Sequence, residues 1–476
     1  MKPDQIIRLS ASLLGERIRN DELSSEAAVE AHLKQIARIN PALNAVVFLD
    51  SEGALEAARA ADKRLANGEK TGPLHGVPMT VKDSFDVAGM ISAGGTMGRK
   101  NFVPKADATA VKRLRKAGAI ILGKTNTPEL TLSFSTDNDV YGLTKNPHNL
   151  AHSPGGSSGG AAAIVAAFGS PLELGSDTGG SIRQPAHFCG VAGLKPTQGR
   201  VPRTGHVVPF GGALDLLTHV GPIARKVEDL ALAFSILAGP DWRDPSVAPV
   251  PVLSLAQAEI RNLKIGFFTD NGVVSPTKET SDCVEKVAVF LEQFAAKVED
   301  AKPPNISQSY DFYYRLFRAD GGAWERRLLK KAGTERSFKF VDWAVDPEQA
   351  KPVAAEDFSL LLEELDVFRG EMLQFMAGYD ALICPVNASP AFPLDDPRNH
   401  ENRTSFSYTM TFNLTGWPVV VVPAGVSENG LPIGVQIVAQ PWREDVALAV
   451  AEIVEKEFGG ACVLDEEKIE QIARVR

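Results

Sequence analysis

Cysteine is scarce in this sequence and forms no motif. Four cysteines, Cys189, Cys283, Cys384 and Cys462, are spread over 476 residues, and no two of them are separated by only two positions. Cysteines that bind zinc or act as a redox pair characteristically have that close spacing. We therefore expect four buried free thiols and no cysteine-based metal or redox site.

Long apolar runs and an excess of positive charge are also missing. The runs 161–168 and 417–422 are far shorter than the roughly 20 residues that cross a bilayer. The formal net charge of −9 provides no basic surface for nucleic acid or for an anionic membrane. The first twenty residues contain scattered charges and no apolar stretch that ends in a small-residue cleavage site. We expect a cytoplasmic protein with no direct nucleic-acid or membrane contact.

The pattern of apolar residues predicts an α/β fold. With 44% hydrophobic and 23% charged residues, the composition is typical of a globular protein. Short strand-like runs alternate with helical ones, which indicates a sheet covered on both faces. The predicted strands are 77–81, 119–122, 263–268, 381–385, 419–422 and 432–438, and the predicted helices include 51–66, 108–116, 227–237, 278–295, 358–376 and 445–456.

The domain organisation is predicted to be one domain over 1–476. Residues 1–70 are predicted to be N-terminal helices, with a helix that Ser24 or Ser25 caps and Pro41 ends. Proline clusters at 240–251 and 385–397 are predicted connections, because proline continues neither a helix nor a central strand. The segment between them, 252–385, is predicted to be a helical insertion or cap over a core that the two ends form.

Glycine is concentrated in one part of the chain, and this part is where we look for chemistry. Residues 155–199 contain 11 of the 41 glycines. The run that begins at Gly155 lacks the Gly-Lys-Ser/Thr sequence of a phosphate-binding loop. It matches the G-x-S-x-G of a hydrolase nucleophile elbow formally, but it follows a loop where that motif requires a strand.

Four further residues in this region suggest other chemistry and are interpreted as structural. His148 and His152 have a zinc-like spacing but lie between prolines, and His187 and Cys189 share one short apolar turn. We interpret the first two as loop histidines and the other two as packing residues.

A second serine and a lysine have a more specific context. In Thr178-Gly179-Gly180-Ser181, consecutive backbone N–H groups can point in one direction, which is what an oxyanion hole requires. Lys82 ends an apolar strand, where burial would favour a neutral amine able to act as a base. From the residues alone, a strand-end lysine that reaches solvent remains the alternative.

At this point the chain resembles the amidase signature family of serine hydrolases. The matching segments occur in order at 76–83, 123–129, 146–147, 153–160, 175–183, 193–197 and 221–225, followed by 413–418 and 431–436. The resemblance implies a large mixed β-sheet sandwiched between helices. It also implies an amidohydrolase that needs no metal or organic cofactor and acts on a small-molecule amide.

The resemblance also implies a role for each matching residue. Ser181 would be the nucleophile, Lys82 the buried neutral base, and Ser157, which follows a cis peptide bond, the hydroxyl bridge between them. Backbone N–H groups across Thr178–Ser181, including Gly179 and Gly180, would form the oxyanion hole. Three neighbours, Ser158, Asp177 and Arg183, are expected to brace these loops.

The substrate is less clearly indicated. Apolar side chains beside the motif loops are candidate pocket residues, with core packing as the alternative for each: Leu130, Leu132, Phe134, Phe210 and Trp417. No arginine or acid is evidently assigned to the substrate, which favours neutral, fairly apolar aliphatic or aryl amides, with esters and carbamates (urethanes) as further substrates.

Other interpretations remain open. The family also includes a glutaminase that acts with partner subunits as part of glutamyl-tRNA amidotransferase, and a membrane-docked branch that resembles fatty acid amide hydrolase, against which the missing membrane segment argues. A catalytically silent scaffold with the same fold is a further alternative. A homodimer is a candidate assembly.

Overall fold

The chain folds around one large β-sheet. The computed structural model describes residues 1–254, 258–338, 341–346, 348–399 and 403–475, and within these ranges the sheet has eleven strands. The strands are β1 (Val46–Leu49), β2 (Pro78–Lys82), β3 (Ile120–Thr125), β4 (Leu172–Asp177), β5 (Ala192–Lys195), β6 (His219–Ala224), β7 (Lys264–Phe267), β8 (Lys297–Asp300), β9 (Ala381–Pro385), β10 (Val419–Val426) and β11 (Pro432–Ala439).

Sixteen α-helices accompany the sheet in the same ranges. They are α1 (Pro3–Ile6), α2 (Ala11–Arg19), α3 (Ser25–Leu43), α4 (Ser51–Ala66), α5 (Thr109–Lys116), α6 (Gly159–Ala166), α7 (Arg183–Cys189), α8 (Val227–Leu237), α9 (Lys278–Leu291), α10 (Ser309–Arg318), α11 (Ala323–Ala332), α12 (Asp342–Val345), α13 (Ala355–Met376), α14 (Ser407–Leu414), α15 (Glu444–Phe458) and α16 (Glu466–Arg474).

The strand order makes the sheet mixed. Across the sheet the order is β1-β3-β2-β4-β6-β5-β10-β11-β9-β7-β8. Strand β2 runs parallel to both of its neighbours, β3 and β4, and β7 runs parallel to β8 and β9. The strands from β4 to β9 in this order pair antiparallel. The ends of β2 and β4 therefore lie side by side at the same edge of the sheet.

Burial along the central strands shows that both faces of the sheet are covered. Every residue of β2, β3, β4, β6 and β11 is buried. Successive side chains of a strand point to opposite faces, so continuous burial requires a layer on each face. The predicted α/β fold with a large mixed sheet between helices is confirmed.

The first seventy residues are helical except for β1. Ser24 caps α3 as predicted, because its hydroxyl accepts a hydrogen bond from the Ala27 amide. Pro41, predicted to end this helix, lies inside it. Proline removes only one backbone donor, and the Asn44 amide still bonds to the Asn40 carbonyl beyond it at 2.8 Å. The helix therefore ends only at Leu43.

The segment 252–385 combines sheet strands with helices. It contributes β7, β8 and β9 to the main sheet, and the helices α9 to α13 lie between them in sequence. Only part of this segment therefore fits the prediction of a helical cap. Among the residues that the structure describes, no helix is both long enough and apolar enough to cross a bilayer.

Candidate active site

Lys82 is buried at the end of β2. Its side chain has no exposed surface, so it does not reach solvent as the alternative interpretation required. Its Nζ lies 2.6 Å from Ser157 Oγ, 3.0 Å from Ser176 Oγ and 3.5 Å from the Ser176 carbonyl oxygen. The parallel pairing of β2 with β4 explains the contact with Ser176, because the two strands end together.

The surroundings of Lys82 favour its neutral form. Burial lowers the pKa of its amine well below the usual value, although Asp177 and Glu173 act in the opposite direction. A charged ammonium without a close carboxylate partner is costly in such a site, whereas a neutral amine can accept a proton. The geometry thus provides a base beside a serine hydroxyl.

Ser157 and Ser181 each lie in a short glycine-rich turn near Lys82. The peptide bond between Gly156 and Ser157 is cis, and α6 begins two residues later. Ser181 lies in the corresponding turn between β4 and α7. The Ser158 amide donates to the Ser181 carbonyl at 3.1 Å, and the Ser158 hydroxyl donates to the Ser176 carbonyl at 3.3 Å. Ser158, expected to brace these loops, therefore links the two turns.

The turn that precedes Ser181 requires glycine at two positions. Gly180 has φ +132°, and a Cβ added there would lie 2.3 Å from Thr409 Oγ1. A Cβ at Gly179 would lie 2.5 Å from the hydroxyl oxygen of Tyr313. The Thr409 hydroxyl donates to the Gly179 carbonyl at 2.7 Å, which fixes the direction of that peptide group. Both glycines thus permit a turn that side chains would block.

The amides of this turn are not all available as oxyanion donors. The Gly180 amide donates to Asp177 Oδ1 at 2.8 Å. The amides of Gly179 and Ser181 donate no hydrogen bond to another described residue. Of the four predicted oxyanion residues, Gly180 is therefore engaged elsewhere through its N–H. Gly179 and Ser181 are the better candidate donors.

Asp177 and Arg183 hold the turn in place as a buried ion pair. Arg183 Nε and Nη2 donate to Asp177 at 3.0 Å each, and Arg183 Nη1 donates to the carbonyl of Thr409 at 2.8 Å and to Gln436 Oε1 at 3.0 Å. Asn413 Nδ2 donates to Asp177 at 2.9 Å. Burial alone would raise the pKa of Asp177, but the Arg183 charge and these hydrogen bonds hold it below its usual range. The two residues expected to brace the loops therefore bond to each other and to two further elements of the fold, α14 and β11.

A cavity opens beside Ser181. Its wall consists of Thr131, Leu132, Ser133, Phe134, Thr178, Gly179, Ser181, Tyr313, Tyr314, Phe317 and Arg403. The space that these residues surround, about 390 Å³, includes volume that is open to solvent. Phe134 stacks on Phe406 with 4.2 Å between ring centroids. The wall is thus largely aromatic, with a guanidinium group in it.

Two of the five predicted pocket residues, Leu132 and Phe134, line this cavity. The other three do not line it. Leu130 is buried in the apolar core behind the wall, Trp417 is buried in the same core, and Phe210 is partly exposed outside the cavity. No arginine was evident for the substrate in the sequence, and the structure places Arg403 in the wall of this cavity.

Sequence reasoning missed four residues of the site. Ser176 and His206 lie behind Lys82, where His206 Nε2 is 3.0 Å from Ser176 Oγ. Tyr313 and Arg403 reach the cavity from segments far along the chain. Tyr313 lies in the unusually aromatic helix α10, which was a usable signal. Nothing in the sequence around His206 or Arg403 indicated a contact with the motif loops.

The histidines and cysteines near the glycine-rich turns have structural partners. His148 Nε2 bonds to the Cys189 carbonyl at 3.0 Å, and His187 bonds to the Ser389 carbonyl and the Gly434 amide. All four cysteines are buried and free, as expected. In the part of the chain that the structure describes, no three His, Cys, Asp or Glu side chains are grouped as metal ligands would be.

Comparisons with known proteins agree with this arrangement. A family model described as Amidase matches residues 27–448. In Acidothermus cellulolyticus, the first subunit (A) of glutamyl-tRNA(Gln) amidotransferase is 34% identical to the chain over 499 aligned positions, which cover 95% of each protein.

Solved structures agree as well. The structure of 6-aminohexanoate cyclic dimer hydrolase superposes with a TM-score of 0.85 at 30% identity, covering 95% of this chain and 97% of that one. A bacterial aryl acylamidase of the amidase signature family gives 0.82 at 28% identity, covering 98% and 99%. The extent of these matches shows that the chain belongs to the amidase signature family of amidohydrolases.

Proposed function

We propose that the chain is a serine amidohydrolase in which Ser181 is the nucleophile, Ser157 the proton bridge and Lys82 the base. The observation that carries this proposal is the 2.6 Å contact between Lys82 Nζ and Ser157 Oγ in a fully buried site. Ser181 lies in the neighbouring glycine-rich turn. A buried lysine whose pKa is lowered and whose amine contacts a serine hydroxyl can accept a proton from that hydroxyl.

In the proposed reaction a proton first moves from Ser181 through Ser157 to Lys82, and it later moves back along the same path. Lys82 takes a proton from Ser157 while Ser157 takes one from Ser181, and Ser181 Oγ attacks the amide carbonyl carbon. The amides of Gly179 and Ser181 stabilise the resulting oxyanion. The proton then returns through Ser157 to the leaving amine, without which the C–N bond would not break. Water hydrolyses the acyl-enzyme with the same groups acting in reverse.

The proposed substrates are small amides with an apolar aliphatic or aryl body. Leu132, Phe134 and Phe317 offer apolar and aromatic surface next to Ser181. Because the acyl group is transferred to serine before water attacks, the leaving group can also be an alcohol. Aryl esters and carbamates are therefore proposed as further substrates.

A second candidate function is that of the glutaminase component of a glutamyl-tRNA amidotransferase. The 34% identity to a protein of that enzyme supports it, and so does Arg403, because a guanidinium in the cavity wall can bind the carboxylate of glutamine.

Under this second function, Arg403→Met should raise KM for glutamine by about 10-fold, as expected for a lost charge-assisted hydrogen bond. Turnover of a neutral anilide should change little. Arg99→Met is the matched control, since Arg99 stacks on Phe102 and neither residue lines the cavity.

A hydrolysis panel on the purified chain tests both functions. Glutamine, short aliphatic amides, long-chain amides, anilides, p-nitrophenyl esters and an aryl carbamate are compared, with Ser181→Ala as control. Turnover of anilides or carbamates without glutamine supports the stand-alone hydrolase, whereas turnover of glutamine alone supports the amidotransferase component. Labelling by a fluorophosphonate that Ser181→Ala abolishes is expected; absence of both labelling and turnover would indicate a silent scaffold.

A further inference from the structure

The base of the proposed relay has a second hydroxyl partner whose own environment is unusual. Ser176 Oγ lies 3.0 Å from Lys82 Nζ on one side and 3.0 Å from His206 Nε2 on the other. His206 Nδ1 lies 3.0 Å from the Val208 carbonyl oxygen and 3.1 Å from the Val208 amide nitrogen. A continuous row of hydrogen-bonding groups thus runs from Ser157 through Lys82 and Ser176 to His206.

The His206 ring is held rigidly in this row. The loop that carries it is bonded to the residues that follow Lys82: the Asp86 amide donates to the Gly205 carbonyl at 2.9 Å, and the Val207 amide donates to the Ser84 carbonyl at 2.7 Å. The ring also packs edge-on against Phe85, with 4.7 Å between ring centroids. Movement of the ring would therefore disturb the segment that Lys82 begins.

His206 is uncharged in this site. It is buried, and burial is the main cause that lowers the pKa of its imidazole to about 3. A neutral imidazole has one N–H and one lone pair. The tautomer with its N–H on Nδ1 donates to the Val208 carbonyl and leaves the lone pair of Nε2 for the Ser176 hydroxyl, whereas the other tautomer accepts the Val208 amide on Nδ1 and donates from Nε2 to Ser176. The first tautomer is the one assigned to His206.

This assignment determines the direction of the neighbouring hydrogen bonds. Ser176 has only one proton, so once it donates to His206 it can meet Lys82 only as an acceptor. Lys82 then donates an N–H to Ser176, and the lone pair of its amine is left for the Ser157 hydroxyl. When Lys82 becomes an ammonium during the relay, the same row stabilises the new positive charge, because Ser176 and His206 polarise each other.

We propose that His206 is a positioning residue for the proposed base Lys82, acting through Ser176 to point the amine lone pair at Ser157 and to stabilise the ammonium that forms in the reaction. This inference rests on the proposed function, and it concerns residues to which the family resemblance assigned no role. His206 contacts neither the cavity wall nor the proposed nucleophile, so it is expected to affect the chemical step and not substrate binding.

The test compares His206→Phe, which keeps a ring against Phe85 but removes both nitrogen atoms, with His206→Gln, whose amide can accept the Ser176 hydroxyl. We expect His206→Phe to lower kcat by about 10- to 100-fold with KM nearly unchanged, and His206→Gln to recover most of that loss. Ser176→Ala should lower kcat similarly, and the double variant His206→Phe/Ser176→Ala should be no worse than the more impaired single variant.

The control is His32→Phe, a change at another buried histidine, whose ring bonds to the Ala28 carbonyl within α3. It should leave kcat unchanged. Wild-type kcat in His206→Phe or in Ser176→Ala, equal losses in the Phe and Gln variants, or multiplicative losses in the double variant would each overturn the inference. Should His206→Phe not fold, Ser176→Ala still decides it. Retained activity in Ser181→Ala or Lys82→Ala would instead overturn the proposed function itself.

Discussion

At the scale of single residues, the site depends on the protonation state of Lys82. Burial costs the ammonium form more than the attraction of Asp177 and Glu173 returns, so the pKa of the amine falls and it loses its proton at a lower pH than a free lysine does. Since the proposed relay needs the neutral amine, activity is gained as pH rises through the pKa of folded Lys82.

The prediction is a kcat/KM profile with one ascending acid limb of unit slope that reaches a plateau toward mildly alkaline pH. Lys82→Ala should lower the rate by orders of magnitude, and Ser157→Ala should lower it by less. Initial rates with an anilide, measured from mildly acidic to alkaline pH, test this. A maximum in the acidic range, or variants as active as the parent chain, would contradict a neutral Lys82 as base.

Residue identity alone predicted only part of the site. Lys82, Ser157 and Ser181 lie in motifs with distinctive local sequence, and the structure places the first two in contact. The aromatic helix α10 was a signal for Tyr313, but the approach of Tyr313 and Arg403 to Ser181 could not be predicted, because it depends on the packing of distant parts of the chain. Trp417 is buried in the apolar core and does not line the cavity beside Ser181. A motif position next to glycine does not distinguish a cavity wall from the core.

At the scale of secondary-structure elements, helix α10 packs against the turn before Ser181. The Tyr313 hydroxyl occupies the space that a side chain at position 179 would need. Helix α10 and the turn therefore pack closely against each other. A substitution that enlarges a side chain in one of them should displace the other.

We expect Gly179→Ala to reduce kcat strongly, because the new methyl group displaces Tyr313 or the turn, and Tyr313→Phe to restore part of that loss in the double variant by removing the nearest atom. Steady-state kinetics of the two single variants and the double variant measure this. Gly370→Ala, at an open position within α13, is the control and should leave kcat unchanged. Equal activity in Gly179→Ala and the parent would refute the fit.

The elements themselves were largely predictable, and the exceptions have physical causes. Three elements have the predicted bounds, the helices Ser51–Ala66 and Val227–Leu237 and the strand Ala381–Pro385, because each has a clear apolar pattern and a defined end. The end of α3 was wrong because the Asn40 side chain closes the helix beyond Pro41, accepting hydrogen bonds from the amides of residues 45 and 46.

At the scale of the whole molecule, the two ends of the chain are joined by α16, which packs on α3. Ile469 and Ile472 are buried in this contact. Glu466 forms ion pairs with Arg8 at 3.1 Å and Arg38 at 3.0 Å, but about half of its side chain is exposed. Apolar burial should therefore stabilise the contact more than the ion pairs do.

We expect Ile472→Ala to lower the free energy of unfolding by about 2–4 kcal/mol and Glu466→Gln to lower it by less than about 1 kcal/mol. Urea unfolding followed by circular dichroism at two salt concentrations measures both. A larger loss in Glu466→Gln than in Ile472→Ala would show that charge holds the ends together. The homodimer predicted from the sequence stays a prediction, which sedimentation equilibrium tests.

The bonds of Arg183 also have a consequence for the time at which the enzyme becomes competent. Gln436, one of its partners, follows it by 253 residues. A ribosome adding about 5–20 residues per second needs about 13 to 50 s to cover that distance. During that interval the proposed nucleophile, Ser181, has been made, but the turn that carries it lacks its final support. Hydrolytic activity should therefore begin only when the last strands emerge, so nascent chains cannot attack amides or esters before they are nearly complete.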